Sequence, residues 1–265
     1  MQINKECKPY QIDLVNKHHL LGKPGFGIPK NKDFVITKIT SNTNIQNIEV
    51  IGNGNPNYVV YHKFAKPSGK ILIRFAKQAK NNLLFLGKNV YIQNGKIVFF
   101  GINSTAIISN NNRHHNLFTA TIWNDNNLIY IGAHTTSNGL NLRSKCSNIL
   151  IGEDCMIAVN VWIRNSDEHL IFDLDSLEPQ VSSGEIIIYP HNWICQDVLI
   201  LKNTKVGVGS IIGAKSLVIK DVPSFSVVGG NPSKIIKRNI SWQREGTTIK
   251  KATIQEIERY KTLDY

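Results

Sequence analysis

In the C-terminal half of the chain, Ile188, Ile194, Ile200, Val206, Ile212 and Val218 place an aliphatic side chain at every sixth position. An amphipathic helix needs apolar residues three and four apart, and a half-buried strand needs them two apart, so neither explains the pattern. A period of six fits a solenoid in which each hexapeptide forms one short flat side of a coil and three hexapeptides close a turn. The aliphatic residue points inward and stacks on its counterparts above and below. No coil can bury its inner face alone, so stacking supplies the core. Gly207 and Gly213 directly follow their aliphatic residues, where a small residue lets the chain turn a tight corner.

The same signature recurs upstream. Ile151, Ile157 and Ile163 keep the spacing, with Gly152 after the first; Leu86, Ile92 and Val98 do so with Gly87; and Ile131-Gly132 restarts it. The repeat predicts a solenoid domain over 81–240, irregular in its first coils. Between Ile163 and Ile188 the register breaks, and the segment 164–187, with Asp167, Glu168, His169, Asp173, Pro179 and Gly184, is expected to be a loop ejected from the coil. Residues 1–80 are expected to form a β-rich cap or docking region; the first 45 lack the repeat and gather Lys, Gly and Pro around Gly22-Lys23-Pro24-Gly25. The repeat stops after Pro232. In the tail 241–265, Lys250 to Tyr260, with Ile254 and Ile257 among charges, predicts a short helix closing the open end of the solenoid.

Composition narrows the function classes. With 42% hydrophobic and 19% charged residues, the chain lies far from the composition of disordered proteins. It contains no apolar stretch long enough to cross a bilayer as a helix. Met1-Gln2-Ile3-Asn4-Lys5-Glu6 carries charges of both signs and no signal-peptide run, so the expected location is the cytoplasm, with a peripheral position at the inner membrane left open. Cysteines 7, 146, 155 and 195 show neither C-x-x-C nor paired-ligand spacing; they read as reduced and mostly packing residues, and no metal is expected. The 31 basic and 19 acidic residues give a net charge of +12, which suits a nucleic acid, an acidic membrane surface, a phosphorylated cofactor or an anionic polymer. Aromatic residues do not interleave with the basic ones as a nucleic-acid stacking platform requires, so nucleic acid is not an expected partner.

The stretch Gly184 to Lys237 resembles the hexapeptide-repeat acyltransferases, whose fold is a left-handed parallel β-helix. Its most specific part is Lys220-Asp221-Val222-Pro223 followed by Gly230-Asn231-Pro232-Ser233-Lys234. The segments Ile151-Gly152-Glu153-Asp154-Cys155-Met156 and Ser166-Asp167-Glu168-His169-Leu170-Ile171-Phe172-Asp173 are similar to the branch that O-acetylates sialic acid polymers and capsular polysaccharides. The resemblance covers roughly residues 85 to 240. It implies acetyl-coenzyme A as donor, a homotrimer, and a groove between adjacent solenoids.

A sugar hydroxyl becomes a competent nucleophile only as its proton is removed, and histidine is the natural base near neutral pH. His169, in the ejected loop, stands where relatives carry their catalytic histidine. Trp193, just before the inward Ile194, matches a tryptophan that in relatives lies beside thioester and acceptor; its flat ring could equally brace the coil edge. Where the family often continues W-I-G, this chain has Trp193-Ile194-Cys195. Asn138 falls where some sugar acetyltransferases hold the acceptor, though the local match is loose in a region full of asparagines, and Asp167 would bind a sugar hydroxyl or orient the imidazole, with loop solvation as its alternative. Ala214 matches the small residue beside the pantetheine, and Lys220, Lys234 and Lys237 stand near the pantetheine and phosphates in relatives, against the alternative of solvated surface charge. The other histidines have plainer readings: His114 and His115 as surface or anion-contacting residues, His134 and His191 at repeat corners, and His18, His19 and His62 outside the repeat.

The function this implies is O-acetylation of a bacterial surface glycan, whether capsule, sialic acid polymer or lipopolysaccharide, by direct transfer in a ternary complex. The positive charge would suit an anionic acceptor. The alternatives are N-acetylation of a nucleotide-linked amino sugar and a non-catalytic solenoid that binds an acidic polymer.

Overall fold

A computed structural model describes residues 16–29, 33–45, 47–64 and 67–262. Met1–Glu6 and Cys7 lie outside the described residues. The chain winds into a three-sided prism of stacked parallel strands. The first face stacks Asn57–His62, Leu83–Leu86, Thr105–Ile108, Leu128–Ile131, Ile149–Ile151, Ile186–Ile188 and Thr204–Val206. The second holds Thr136–Ser137, Met156–Ile157, Trp193–Ile194, Ile211–Ile212 and Ser226–Gly229, and the third Leu140–Lys145, Val161–Arg164, Leu199–Leu201 and Leu217–Val218. In the earlier coils the second and third faces are spanned by single long strands, Ser68–Phe75, Tyr91–Phe99 and Arg113–Trp123.

The period of six maps directly onto these faces. Ile151, Ile188 and Val206 stack on the first face, Ile157, Ile194 and Ile212 on the second, and Ile163, Ile200 and Val218 on the third. All nine are buried and belong to one continuous core. Burying such a side chain is worth about 1.5–3 kcal/mol, so the stack is stiff. The coil carrying Leu86 and Ile92 departs from the expectation. Its register shifts after Ile92, and the inward residues that follow are Ile97 and Phe99, whereas Val98 stands outside the core cluster.

Parallel pairing begins well before 81: Ile48–Ile51 already pairs with Ser68–Phe75, and Asn57–His62 with Leu83–Leu86. The expected boundary at 80 therefore cuts through the coil, because the early coils are longer than three hexapeptides and hide the period. Antiparallel strands blunt both ends of the prism, Phe34–Ile39 and Thr43–Ile45 at one, Lys234–Arg238 at the other. Such edges would otherwise offer unpaired backbone to other chains.

Two terminal segments run along the flanks. Residues 16–29 cover the outer side of the first face, where Leu20, Leu21 and Phe26 join Phe85, Ile107, Tyr130, Leu150 and Ile187 in a second hydrophobic cluster. The Tyr130 hydroxyl donates to the Gly27 carbonyl at 2.9 Å and fixes this strap. Its sequence signal is the unbroken apolar runs Leu83–Leu86, Leu128–Ile131 and Ile186–Ile188: strands apolar at every position are covered on both faces. The expected C-terminal helix is present at Lys251–Lys261, but it does not close the end of the solenoid. It lies against a middle coil, where Arg259 pairs with Glu153 and the buried Tyr260 donates to the same carboxylate at 3.4 Å.

Between the first and second faces the corner residues Asn89, Asn111, His134, Asp154 and His191 all have φ between 55° and 61°. Asn and Asp tolerate this left-handed conformation better than other non-glycine residues. The corner placement of His134 and His191 read from the repeat holds.

Candidate active site

The ejected segment folds back on itself as a long arm. It leaves the coil after Val161–Arg164 on the third face and returns at Ile186–Ile188 on the first. Antiparallel bridges Ser166 to Ser183 and Phe172 to Pro179 close it, with Asp167 N–H donating to Ser182 O at 2.8 Å and Gln180 N–H to Ile171 O at 2.7 Å. Asp173 caps its tip by accepting from the backbone N–H groups of Asp175 and Ser176, both at 2.9 Å. These backbone bonds hold the Asp173 carboxyl below the usual carboxylate range.

The base of the arm is pinned by cations. Glu168, at φ 68°, pairs with Arg143 at 3.1 Å and Arg164 at 3.4 Å, and its carbonyl accepts from Lys145 Nζ at 3.1 Å. The Asp167 carboxylate pairs with Lys202, which also donates to Val181 O at 2.7 Å. The next residue, His169, is exposed, and its imidazole makes no hydrogen bond or ring contact with the described residues. Asp167 thus stitches the arm to the coil and makes no hydrogen bond to the imidazole. Sequence reasoning did not single out Arg143 and Lys202, because their partners lie 25 and 35 positions away, nor Arg164, four residues before Glu168.

Trp193 lies outward and half-buried on the second face, while Ile194 beside it points into the core. Trp242, from the C-terminal segment, stands 6.2 Å from it, centroid to centroid. Trp242 is itself stacked on His191 at 4.5 Å with the rings 8° apart, and its indole N–H donates to His191 O at 2.9 Å. His191 Nδ1 meets Asp154 Oδ2 at 2.7 Å and Nε2 meets Trp242 O at 3.1 Å. Contacts at both ring nitrogens fix the orientation of the His191 ring. Burial alone would raise the Asp154 carboxyl, but the His191 hydrogen bond and the Arg244 guanidinium outweigh it and hold it below the usual range. The wall beside Trp193 is therefore built by a distant tail through contacts that no local motif announces.

The remaining candidates spread over the prism. Asn138 is exposed at the corner between the second and third faces, where its carbonyl accepts from Asn116 Nδ2 at 3.0 Å. Ala214 is exposed at the same corner, in the turn after Ile211–Ile212. Lys220 stands exposed at the corner from which the arm departs, and Lys234 and Lys237 lie exposed on the terminal antiparallel strand. One chain thus brings Asn138, Trp193 and Ala214 to the second face and its border. It carries His169 at the opposite edge of the prism, between the third face and the first.

His114 contradicts its surface reading. It points into the core beside Phe118, with Nδ1 and Ser137 Oγ sharing a hydrogen bond at 2.8 Å and Nε2 buried without a partner among the described residues. Burial and the neighbouring His115 push its pKa down to about 3, so it is neutral. His115 is exposed. The strand alternation that turns Ile92 inward one coil below also turns His114 inward, and an Asn-rich context masked it. Of the described cysteines, all free, Cys155 is buried, Cys195 half-buried and Cys146 exposed. Burial pushes the Cys155 thiol up to about 12 and raises that of Cys195 beside Trp193. No group of three or more potential metal ligands occurs among the described residues, and no helix among them is long and apolar enough to cross a membrane.

No protein-family model matches the chain. It is 40% identical over 117 residues to a polysialic acid O-acetyltransferase of Escherichia coli O1:K1 / APEC, a match spanning 44% of this chain and 38% of that protein. It is 31% identical over 166 residues to the polysialic acid O-acetyltransferase of Neisseria meningitidis, spanning 62% of this chain and 77% of the relative. The crystal structure of the polySia specific acetyltransferase NeuO superposes with a TM-score of 0.70 at 31% identity, covering 83% of this chain and 95% of that one. The fold is the left-handed parallel β-helix expected from the resemblance. The chain belongs to the hexapeptide-repeat acetyltransferase family. Its relatives there include polysialic acid O-acetyltransferases, the first of which it spans for less than two thirds of its length.

Proposed function

We propose that the protein transfers an acetyl group from acetyl-coenzyme A to a hydroxyl of a bacterial surface glycan, with His169 as general base, in a homotrimer. The observation that carries this reading is the placement of His169: an imidazole without a partner among the described residues, presented by a base pinned through Arg143, Arg164 and Lys202, on the prism edge opposite Trp193. One chain does not close that gap. In the proposed trimer, His169 of one protomer meets the Trp193 face of the next.

In the reaction, the imidazole takes the proton of the acceptor hydroxyl as its oxygen attacks the thioester carbonyl. The carbon–sulfur bond then breaks, and the imidazolium returns the proton to the departing thiolate. Asn138 would donate to the oxyanion or hold the acceptor. Trp193 and Ala214 would flank the pantetheine, and Lys220, Lys234 and Lys237 would meet the phosphates, with the lysines of one protomer serving the groove it shares with its neighbour. The raised thiols of Cys155 and Cys195 argue against an acyl intermediate on either of these two cysteines. The acceptor class follows the relatives, whose names specify polysialic acid. The net charge of +12 agrees with an anionic polymer. The cytoplasm, where the donor is made, is the proposed site of action.

The test is thiol release from acetyl-coenzyme A in the presence of polysialic acid or capsular polysaccharide. His169→Ala should lose about two to four orders of magnitude in turnover while keeping its affinity for acetyl-coenzyme A. Parent-level turnover in that variant removes His169 from the mechanism, and release with amino-sugar nucleotides alone replaces the acceptor class.

A further inference from the structure

Two clefts open along the corner between the first and second faces and meet at Asn111 and Arg113. One, of about 470 Å³, extends from that pair to Asn89, Tyr91 and His115. The other, of about 710 Å³, continues past Thr136 to Arg244 and Arg259. No residue of either is assigned a step in the mechanism above.

The charges of the second cleft are already matched. Glu153 and Glu256 pair with Arg259, and Asp154 pairs with Arg244 and His191. Arg113 differs from these: its side chain is exposed, and its guanidinium has no ion pair or hydrogen bond among the described residues. Strand alternation dictates the position, since the next residue, His114, takes the inward place. The same alternation sets Tyr91, Arg113, Thr136, Met156 and Trp193 in one outward column, one residue per coil. With strands spaced about 4.8 Å apart, Arg113 stands three coils, roughly 14 Å, from Trp193.

Beside Arg113, the rings of Tyr91 and His115 lie 5.4 Å apart, tilted by 50°. Asn89 Nδ2 donates to Asn111 Oδ1 at 3.0 Å and Asn111 Nδ2 meets His134 Nε2 at 3.4 Å, which leaves the Oδ1 of the exposed Asn89 without a hydrogen bond among the described residues. An aromatic wall, an unpaired guanidinium and side-chain amides supply what a carboxylated sugar demands. The ring covers an apolar sugar face, the guanidinium forks onto the carboxylate, and the amides serve hydroxyls.

We propose that the cleft around Tyr91, Arg113 and His115 is an accessory site that binds a carboxylated sugar unit of the acceptor glycan, three coils away from Trp193. The proposal rests on the reading of the acceptor as a surface glycan and adds that this glycan is an anionic polymer held at a second point. A second point of attachment raises the local concentration of the neighbouring units at the reactive centre, so long acceptors gain and single sugars do not.

Binding of long polysialic acid to the full-length protein, measured by calorimetry, tests the site separately from the reaction. Arg113→Ala should weaken binding about tenfold, the loss of one charge-assisted forked contact. Arg113→Lys should fall between the two, Tyr91→Ala should lose severalfold, and added salt should narrow every difference. The Arg113 side chain has no ion pair or hydrogen bond among the described residues, so its variants should melt with the parent. Equal binding by the parent and Arg113→Ala, or no binding of polysialic acid to the parent, overturns the proposal. Retained Arg113-dependent binding without acetyl transfer to any glycan overturns the proposed function and leaves the accessory site standing.

Discussion

The coil and the arm are continuous in sequence but are held together by opposite means. Within a few residues of each other, Ile163 is fully buried in the stack while Leu170, Leu174 and Val181 on the arm are 71%, 82% and 72% exposed. The coil satisfies itself: each inward residue has a counterpart above and below. The arm satisfies its backbone through its own bridges and pairs Asp167 and Glu168 with Arg143, Arg164 and Lys202, yet Leu170, Leu174 and Val181 find no cover among the described residues. A small apolar set, held rigidly away from the body, is what a surface destined for another molecule requires. In the proposed trimer that molecule is a second copy.

The comparison breaks most sharply where the arm meets its proposed partner. Leu174→Asp combined with Leu177→Asp should convert the trimer to monomers in sedimentation and abolish transfer by at least about two orders of magnitude, with secondary structure by circular dichroism unchanged. Trimers of parent stability would mean that the arm tip faces solvent in the assembly. The coil should answer differently. Ile194→Ala removes an inward side chain from the centre of the stack and should cost about 2–5 kcal/mol in denaturant unfolding, because neighbouring coils cannot collapse onto the void.

A third expectation uses the polar inclusion within the coil. His114 is neutral in the folded protein, with its pKa pushed down to about 3 from 6.5 in the unfolded chain. The unfolded state therefore gains a proton that the folded state refuses. The stability is complete above pH 6.5 and declines as pH falls from 6.5 toward 3, by an amount on the order of a few kcal/mol. In His114→Leu this decline should shrink. The Ser137 hydroxyl left without its partner should cost about 1–3 kcal/mol at every pH, so the pH slope isolates the imidazole. An unchanged slope would mean that water reaches His114.

Much of this difference was legible in the sequence, for a physical reason. Nine aliphatic residues from Ile151 to Val218 report the coil because stacking demands one inward side chain per hexapeptide, and the break after Ile163 reports the arm because nothing else interrupts a rigid repeat. The earlier coils were blurred by bulges such as the one that replaces Val98 by Ile97 on the inside. Neither flanking strap was visible as a strap. Leu20 and Phe26 contact strands up to about 160 residues away, and Trp242 reaches Trp193 from the tail, contacts that no local period encodes. In the candidate site, His169 and Trp193 are proposed through family likeness, whereas Arg143 and Lys202 meet their partners on the arm only once the coils are stacked.

The smallest expected effect is the most discriminating one. Asp167 and Lys202 form an ion pair whose side chains are 28% and 24% exposed, at the junction of coil and arm. Lys202→Ala should change unfolding free energy by only about 1 kcal/mol or less, because a part-exposed pair offsets little beyond its own desolvation and ordering cost. Its second role is geometric, since the same ammonium also ties Val181 O on the returning strand of the arm. Losing both ties frees the base beside His169, and transfer should fall severalfold with acetyl-coenzyme A affinity unchanged, as expected when a base is held less well over its proton. Lys202→Arg, which keeps the charge, should recover part of the rate. A variant that lost stability and rate together would place Lys202 in the coil's economy instead of the arm's, and the division between a self-sufficient coil and a positioned arm would have to be redrawn.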